Sequence, residues 1–208
     1  MATTTSRNLS RLRFAADETS LERLGGAQID WTRVTAVDAD NRKVVPSGTV
    51  MSRVTASGLL VPRSATFALT NVSVSSNVAT ATSVAHGLTT GDSITVSGAS
   101  LAYVNGVKTV TVTDANTITF PATGANASAT GTIVGARVAV GILETDAHDQ
   151  APADSLSGYS LLGGGVVYDN VLPDATGTPK AVPAAYKAEL ATAGCTFKFV
   201  RYVDSRAI

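Results

Sequence analysis

Between residues 72 and 134 the chain alternates apolar with polar positions in short runs, the period-two pattern of half-buried strands. Runs at 72–74, 78–82, 93–96, 108–112, 117–120 and 129–134 are separated by turn-forming residues at 75–77, 91–92, 98–100, 114–116 and 124–127. Such regular spacing predicts a small β-sandwich or barrel. Upstream, Ile29 and Trp31 alternate with Gln28, Asp30 and Thr32, a second run reaches Val34 and Val37, and short strands are predicted at 44–45, 49–54 and 58–62. Trp31, the sole tryptophan, is expected to anchor the core of that sheet. Downstream, Val138, Val140, Ile142 and Leu143 predict a core strand over residues 137–144, with Gly141 where a side chain would crowd a neighbour or break the ladder.

The C-terminal part predicts one helix. Pro183 stands near its first position, Val182, Tyr186 and Leu190 recur every four residues as an apolar stripe, and Gly194 sits where a C′ glycine belongs. Cys195, Phe197 and Phe199 then alternate with Thr196 and Lys198 in a closing strand. The single cysteine, Cys195, has no second cysteine to form an intramolecular disulfide and reads as a small apolar core residue. At the other end, residues 1–26 scatter Leu9, Leu12, Phe14, Leu21 and Leu24 among charges, and Gly25-Gly26 stops the one helical turn that could begin there. That pattern predicts an arm with little structure of its own that folds on a partner.

Charge marks the boundaries. Only Asp92, Lys108 and Asp114 are charged between residues 64 and 136, against fifteen charges before that window and fourteen after it. The chain therefore reads as mainly β: an arm at 1–26, a discontinuous host domain at 27–66 and 135–208 with one short C-terminal helix, and an inserted β-sandwich or barrel module at 67–134. Burial has to come from aliphatic residues, because aromatics make up only 5% of a chain that is 44% hydrophobic. Sixteen basic and sixteen acidic side chains cancel, leaving no global field toward nucleic acid or an anionic membrane. No apolar stretch approaches the roughly 18 residues of a membrane span, and the N-terminus carries no apolar signal region.

Candidate chemistry is sparse. His86 lies in a glycine-rich turn and is expected to make a local hydrogen bond, while Asp146, His148 and Asp149, with Glu144 and Asp154 nearby, offer oxygen and imidazole donors. No second His or Cys completes a tetrahedral metal site, so a solvated acidic turn is expected there and no metal or cofactor. No serine stands in a Gly-x-Ser-x-Gly elbow. Gly163-Gly164-Gly165 lacks both the strand-then-helix context and the Gly-Lys-Ser/Thr ending of a phosphate cradle, and predicts a close-packed turn. The expectation is a protein that is not an enzyme.

Two stretches carry a resemblance. Ala139–Leu143 (AVGIL), then Gly165–Pro173 (GVVYDNVLP), then a short helix and closing strand resemble the lambda-type head decoration proteins of tailed phages. His86–Asp92 (HGLTTGD), Tyr103–Gly106 (YVNG) and Asp114–Phe120 (DANTITF) resemble small β-modules added to phage tail and virion proteins. The first resemblance implies a homotrimer at three-fold positions on the outer surface of an expanded head, assembled in the host cytoplasm, bound to the major capsid protein and stabilising the shell against genome pressure. Within that implication Leu9, Leu12, Phe14, Leu21 and Leu24 are the candidate capsid-binding residues of the arm. The alternative is a tail or fibre component whose module binds a host-surface glycan, with Tyr103 and Asn105 as candidate contacts.

Overall fold

In the computed structural model, residues 15–55, 57–63, 66–149, 159–173 and 179–201 are described, and among them the chain is mainly β with one α-helix. In order the strands are β1 (Ala15–Ala27), β2 (Val44–Val45), β3 (Val50–Arg53), β4 (Leu60–Pro62), β5 (Thr66–Ala68), β6 (Thr70–Ser75) and β7 (Val78–Thr82). They continue as β8 (Ser93–Ser97), β9 (Gly106–Thr109), β10 (Thr111–Asp114), β11 (Thr117–Pro121), β12 (Ala127–Ser128), β13 (Val134–Arg137) and β14 (Ala139–Leu143). Next come β15 (Ala147–His148), β16 (Tyr159–Tyr168), β17 (Leu172–Pro173) and β18 (Pro179–Lys180), then helix α1 (Ala184–Thr192) and β19 (Thr196–Val200). Two compact units result. The first takes the described residues up to Ser52, Leu60–Pro62 and those from Ala139 on; the second takes those of Arg53–Leu59 and Arg63–Val138.

The second unit follows the alternation. Val72 and Val74 on β6, Ala79 and Ala81 on β7, Ile94 and Val96 on β8, and Ile118 and Phe120 on β11 are buried in one apolar cluster. Their neighbours along each strand are mostly exposed Thr, Ser and Asn. Two sheets supply these faces, β10-β11-β7-β6-β12 and β5-β13-β8-β9. Ser76 and Asn77 connect β6 to β7 with both φ angles positive, the two-residue hairpin geometry whose twist matches the strands. The expected strand at 108–112 is two strands in different sheets: the chain bends at buried Val110, whose N–H donates to Asp92 O at 2.9 Å. The expected strand at 129–134 starts only at Val134. Before it, the backbones around Gly98 and Gly131 approach so closely that a Cβ on Gly98 would lie 2.0 Å from Thr132 O.

The first unit is built around β16. One edge of β16 pairs antiparallel with β1 throughout; its other edge is shared, Leu161 and Leu162 facing β14 and Gly164–Tyr168 running parallel to β19. The sheet continues through β14 to β3 and β4. The predicted core strand at 137–144 is divided. Arg137 ends β13 in the second unit, and the chain leaves that sheet at Val138, whose N–H donates to Ser93 O at 3.4 Å. Ala139 then opens β14 by donating its N–H to Glu189 Oε2 at 2.9 Å. Gly141 follows a break in register, and a Cβ there would lie 2.7 Å from Leu162 O.

Helix α1 ends in a paired cap: Gly194 N–H donates to Ala191 O at 3.1 Å and Cys195 N–H to Leu190 O at 2.9 Å, with Gly194 at a φ of 83°. Val182 and Leu190 are buried and Tyr186 packs beside them. Cys195 is therefore a half-buried residue of the helix exit and not a strand residue; burial raises its thiol pKa and keeps it protonated. Trp31 also departs from the strand expectation. Asp30 Oδ1 accepts from Thr32 N at 3.1 Å and starts a 3-10 turn over Trp31–Arg33, since a short acidic side chain competes for backbone donors that a strand would use. Half-buried Trp31 meets Tyr159 edge to face at 6.2 Å.

Candidate functional site

The run Gly163-Gly164-Gly165 is the interior of β16, not a turn, and its composition is explained by what lies on it. A Cβ on Gly163 would lie 2.6 Å from Leu24, one on Gly164 2.1 Å from Thr196 Oγ1 and 2.4 Å from Glu22, and one on Gly165 2.8 Å from Leu21. Three missing side chains thus make the seat into which β1 and β19 fit, at the cost of the side-chain packing a strand normally supplies. The β1 register slips repeatedly along this seat. Polar contacts pin it: Ser20 Oγ accepts from Val166 N at 3.2 Å and Thr196 Oγ1 donates to Glu22 Oε2 at 2.6 Å.

Arg23 fixes the far end of β1. Its Nε donates to Glu144 Oε1 and Oε2 at 3.0 and 2.8 Å, and its Nη2 donates to Oε1 as well. Glu144 is buried at the end of β14 while the arginine side chain is 60% exposed, so the pair ties a solvent-facing strand to an interior carboxylate. Hydrogen bonding to Glu144, and then its charge, raises the Arg23 pKa further above its ordinary value.

The expected arm is thus of two kinds. Leu9, Leu12 and Phe14 lie outside the described residues. Leu21 and Leu24 belong to β1: Leu21 packs against the buried cluster of β14, β16 and α1, and Leu24 stays 57% exposed over Gly163. The free-chain expectation misses this strand because its partner lies about 140 residues away and its own pattern is irregular.

In the second unit, Asn105 spends its amide on a backbone clamp, Nδ2 donating to Ala99 O at 2.9 Å and Oδ1 accepting from Ala99 N at 3.0 Å. Tyr103 lies in the 3-10 turn Ala102–Val104 before β9, with its hydroxyl donating to Ala125 O at 2.7 Å. It lines an open groove of about 400 Å³ with Val107, Lys108, Thr109, Pro121 and Thr123. No sequence pattern joins β9 to the end of β11, so Thr109, Pro121 and Thr123 carry no signal before the fold is known.

The two histidines serve local geometry. His86 is buried, its Nδ1 accepts from Leu88 N at 2.9 Å, and Nε2 faces Asp114 O at 3.1 Å; the network assigns the ring proton to Nε2. His148 places Nδ1 3.5 Å from Asp38 Oδ2, and Tyr159 donates its hydroxyl to His148 O at 2.9 Å. Asp38 is occupied by its own turn: the Arg42 N–H, the Arg42 guanidinium and the Asp40 N–H hold its carboxyl below the usual range. Asp146 caps a different loop, accepting from Ser47 N at 2.7 Å. Asp154 lies outside the described residues, among which no three His, Cys, Asp or Glu side chains gather as a metal site.

Comparison with family models, with curated proteins and with solved structures finds no match to this chain.

Proposed function

We propose that this chain is a capsid decoration protein that binds the outside of an expanded phage head as a homotrimer at three-fold positions, holds neighbouring copies of the major capsid protein together, and performs no catalysis. The observation that carries the reading is the convergence on β16. The AVGIL strand β14, the strand ending in Tyr168 and the closing strand β19 share one sheet, and α1 packs on β14 through Glu189. These are the segments that resemble the decoration family. Two further features suit a clamp. β1 ends its sheet, so among the described residues its outer edge has no strand partner and offers main-chain groups to another chain. Zero formal net charge suits a protein that sits on other protein rather than on nucleic acid or membrane. Many weak sites on one shell then add up to a strong collective hold.

Co-sedimentation with undecorated, expanded heads of its own phage tests the proposal. Saturable binding that approaches one copy per capsid subunit is the expected result, and absence of binding by the full-length chain overturns it. A chain lacking residues 1–14 keeps β1 in its seat but loses Leu9, Leu12 and Phe14. Its shell affinity is expected to fall at least about tenfold, and undiminished binding removes those three residues from the contact.

A further inference from the structure

The groove at Tyr103 has a composition that the clamp reading leaves unused. It opens where β9, the outer strand of one sheet, passes the end of β11 in the other. Tyr103 is held rigidly there. Its hydroxyl is tied to Ala125 O, its backbone carbonyl accepts from Lys108 Nζ at 2.8 Å, and its ring lies over Gly124, where a Cβ would sit 2.7 Å from three ring atoms. Only a glycine lets the ring settle so low. Val107, 58% exposed, and Pro121 add apolar surface, and exposed Thr109 and Thr123 complete the lining.

This lining selects among ligand classes. It contains no carboxylate, so nothing attracts a metal cation or an amine. Its one cation, Lys108, donates one of its three N–H groups to Tyr103 O, and no arginine or second lysine stands beside it in the lining to hold a phosphate or sulfate. At about 400 Å³ the groove is at the small end of ligand pockets, too small for a protein partner and large enough for one sugar ring. A pyranose presents an apolar C–H face and a rim of hydroxyls that both donate and accept, the complement of a fixed aromatic flanked by threonines. Because Tyr103 is already immobilised, little ordering cost opposes binding.

We propose that the Tyr103 groove binds the terminal neutral hexopyranose of a glycan, through stacking on Tyr103 and Pro121 and hydrogen bonds to Thr109 and Thr123. Asn105, committed to Ala99, holds the loop and does not touch the sugar. The site stands independently of the capsid role.

The test titrates the full-length chain with methyl glycosides of glucose, galactose, mannose and N-acetylglucosamine while amide resonances are followed by NMR. At least one sugar is expected to shift the Tyr103, Val107–Thr109 and Thr123 signals with millimolar affinity. Replacing both hydroxyls, Thr109→Val with Thr123→Val, is expected to weaken binding at least about tenfold without disturbing other signals, two hydrogen bonds being lost. An array carrying bacterial surface polysaccharides beside animal N- and O-linked glycans then identifies the source of the sugar. Absence of shifts with all four glycosides, or equal binding by the double valine variant, overturns the proposal.

Discussion

Phe120 and Gly141 stand for two ways of bringing strands together. In the second unit β6, β7, β8 and β11 contribute side chains on alternate positions to a single cluster, with Phe120 as its largest fully buried member. In the first unit the apolar residues form two clusters, and strands come close inside the sheet where side chains are missing, at Gly141 and along Gly163–Gly165, whereas the second unit's closest backbone approach, at Gly98 and Gly131, lies outside its strands. Both units bury charge: the first holds Glu144 with Arg23 and Glu189 with the Ala139 N–H, and the second holds Asp92 with the Thr89 N–H and Arg137 with Gly87 O. A core made of alternating side chains is robust to which polar residue faces outward. A core made of backbone approach depends on residues whose contribution is to be small, and on distant polar partners.

Truncation of the single cluster gives the largest expected effect. Phe120→Ala removes a ring that is 1% exposed and leaves a cavity beneath both sheets, costing the second unit about 3–5 kcal/mol. Hydrogen exchange at the Val96 and Ile118 amides should quicken accordingly. A loss below about 1 kcal/mol would show that the module does not depend on one cluster.

The converse change adds an atom to the first unit. Gly141→Ala puts a methyl against Leu162 O and the Leu161 side chain, and the carbonyl belongs to a paired strand that cannot step aside. The expected cost is about 1–3 kcal/mol. Trp31, the only tryptophan, reports it through the fluorescence-detected urea midpoint. Gly163→Ala provides the control: its methyl meets the far end of Leu24, an exposed and flexible side chain, and should cost less. Equal costs at the two positions would remove the distinction between backbone and side-chain crowding.

The same contrast decides what was legible beforehand. Val72, Val74, Ile94, Val96, Ile118 and Phe120 announce the second unit because burial there follows a local period of two. Helix α1 and its exit are legible because Pro183 and Gly194 act through their own backbone torsions. The glycine run and β1 are not, since Gly163–Gly165 take their meaning from Leu21, Glu22 and Leu24, some 140 residues earlier. The scattered charges and apolars of β1 likewise suggest an arm with little structure of its own until Glu144 is known to face Arg23. The groove follows the same logic: Tyr103 is visible as an isolated aromatic, whereas Thr109 and Thr123 meet it only through the sheet geometry.

Acid provides the smallest and most specific test of the contrast. At the β10–β11 turn the Asn116 N–H donates to Asp114 Oδ1 at 2.8 Å, and this bond, followed by the Thr117 hydroxyl, lowers the carboxyl pKa below its ordinary 3.8. A group whose pKa falls on folding stabilises the folded chain above the unfolded value, and that contribution disappears as pH drops through the folded value. Asp17, through Thr19, and Asp38, chiefly through the Arg42 N–H, act in the same direction in the first unit. Both units should therefore weaken as pH falls below about 4. Asp114→Asn keeps an oxygen for the Asn116 N–H and removes the titration. Urea midpoints followed by NMR between about pH 5 and pH 2 should then show a shallower acid loss for the second unit, while Trp31 fluorescence shows the first unit's loss unchanged. An unaltered slope in the second unit would mean that the turn aspartate does not set its acid response.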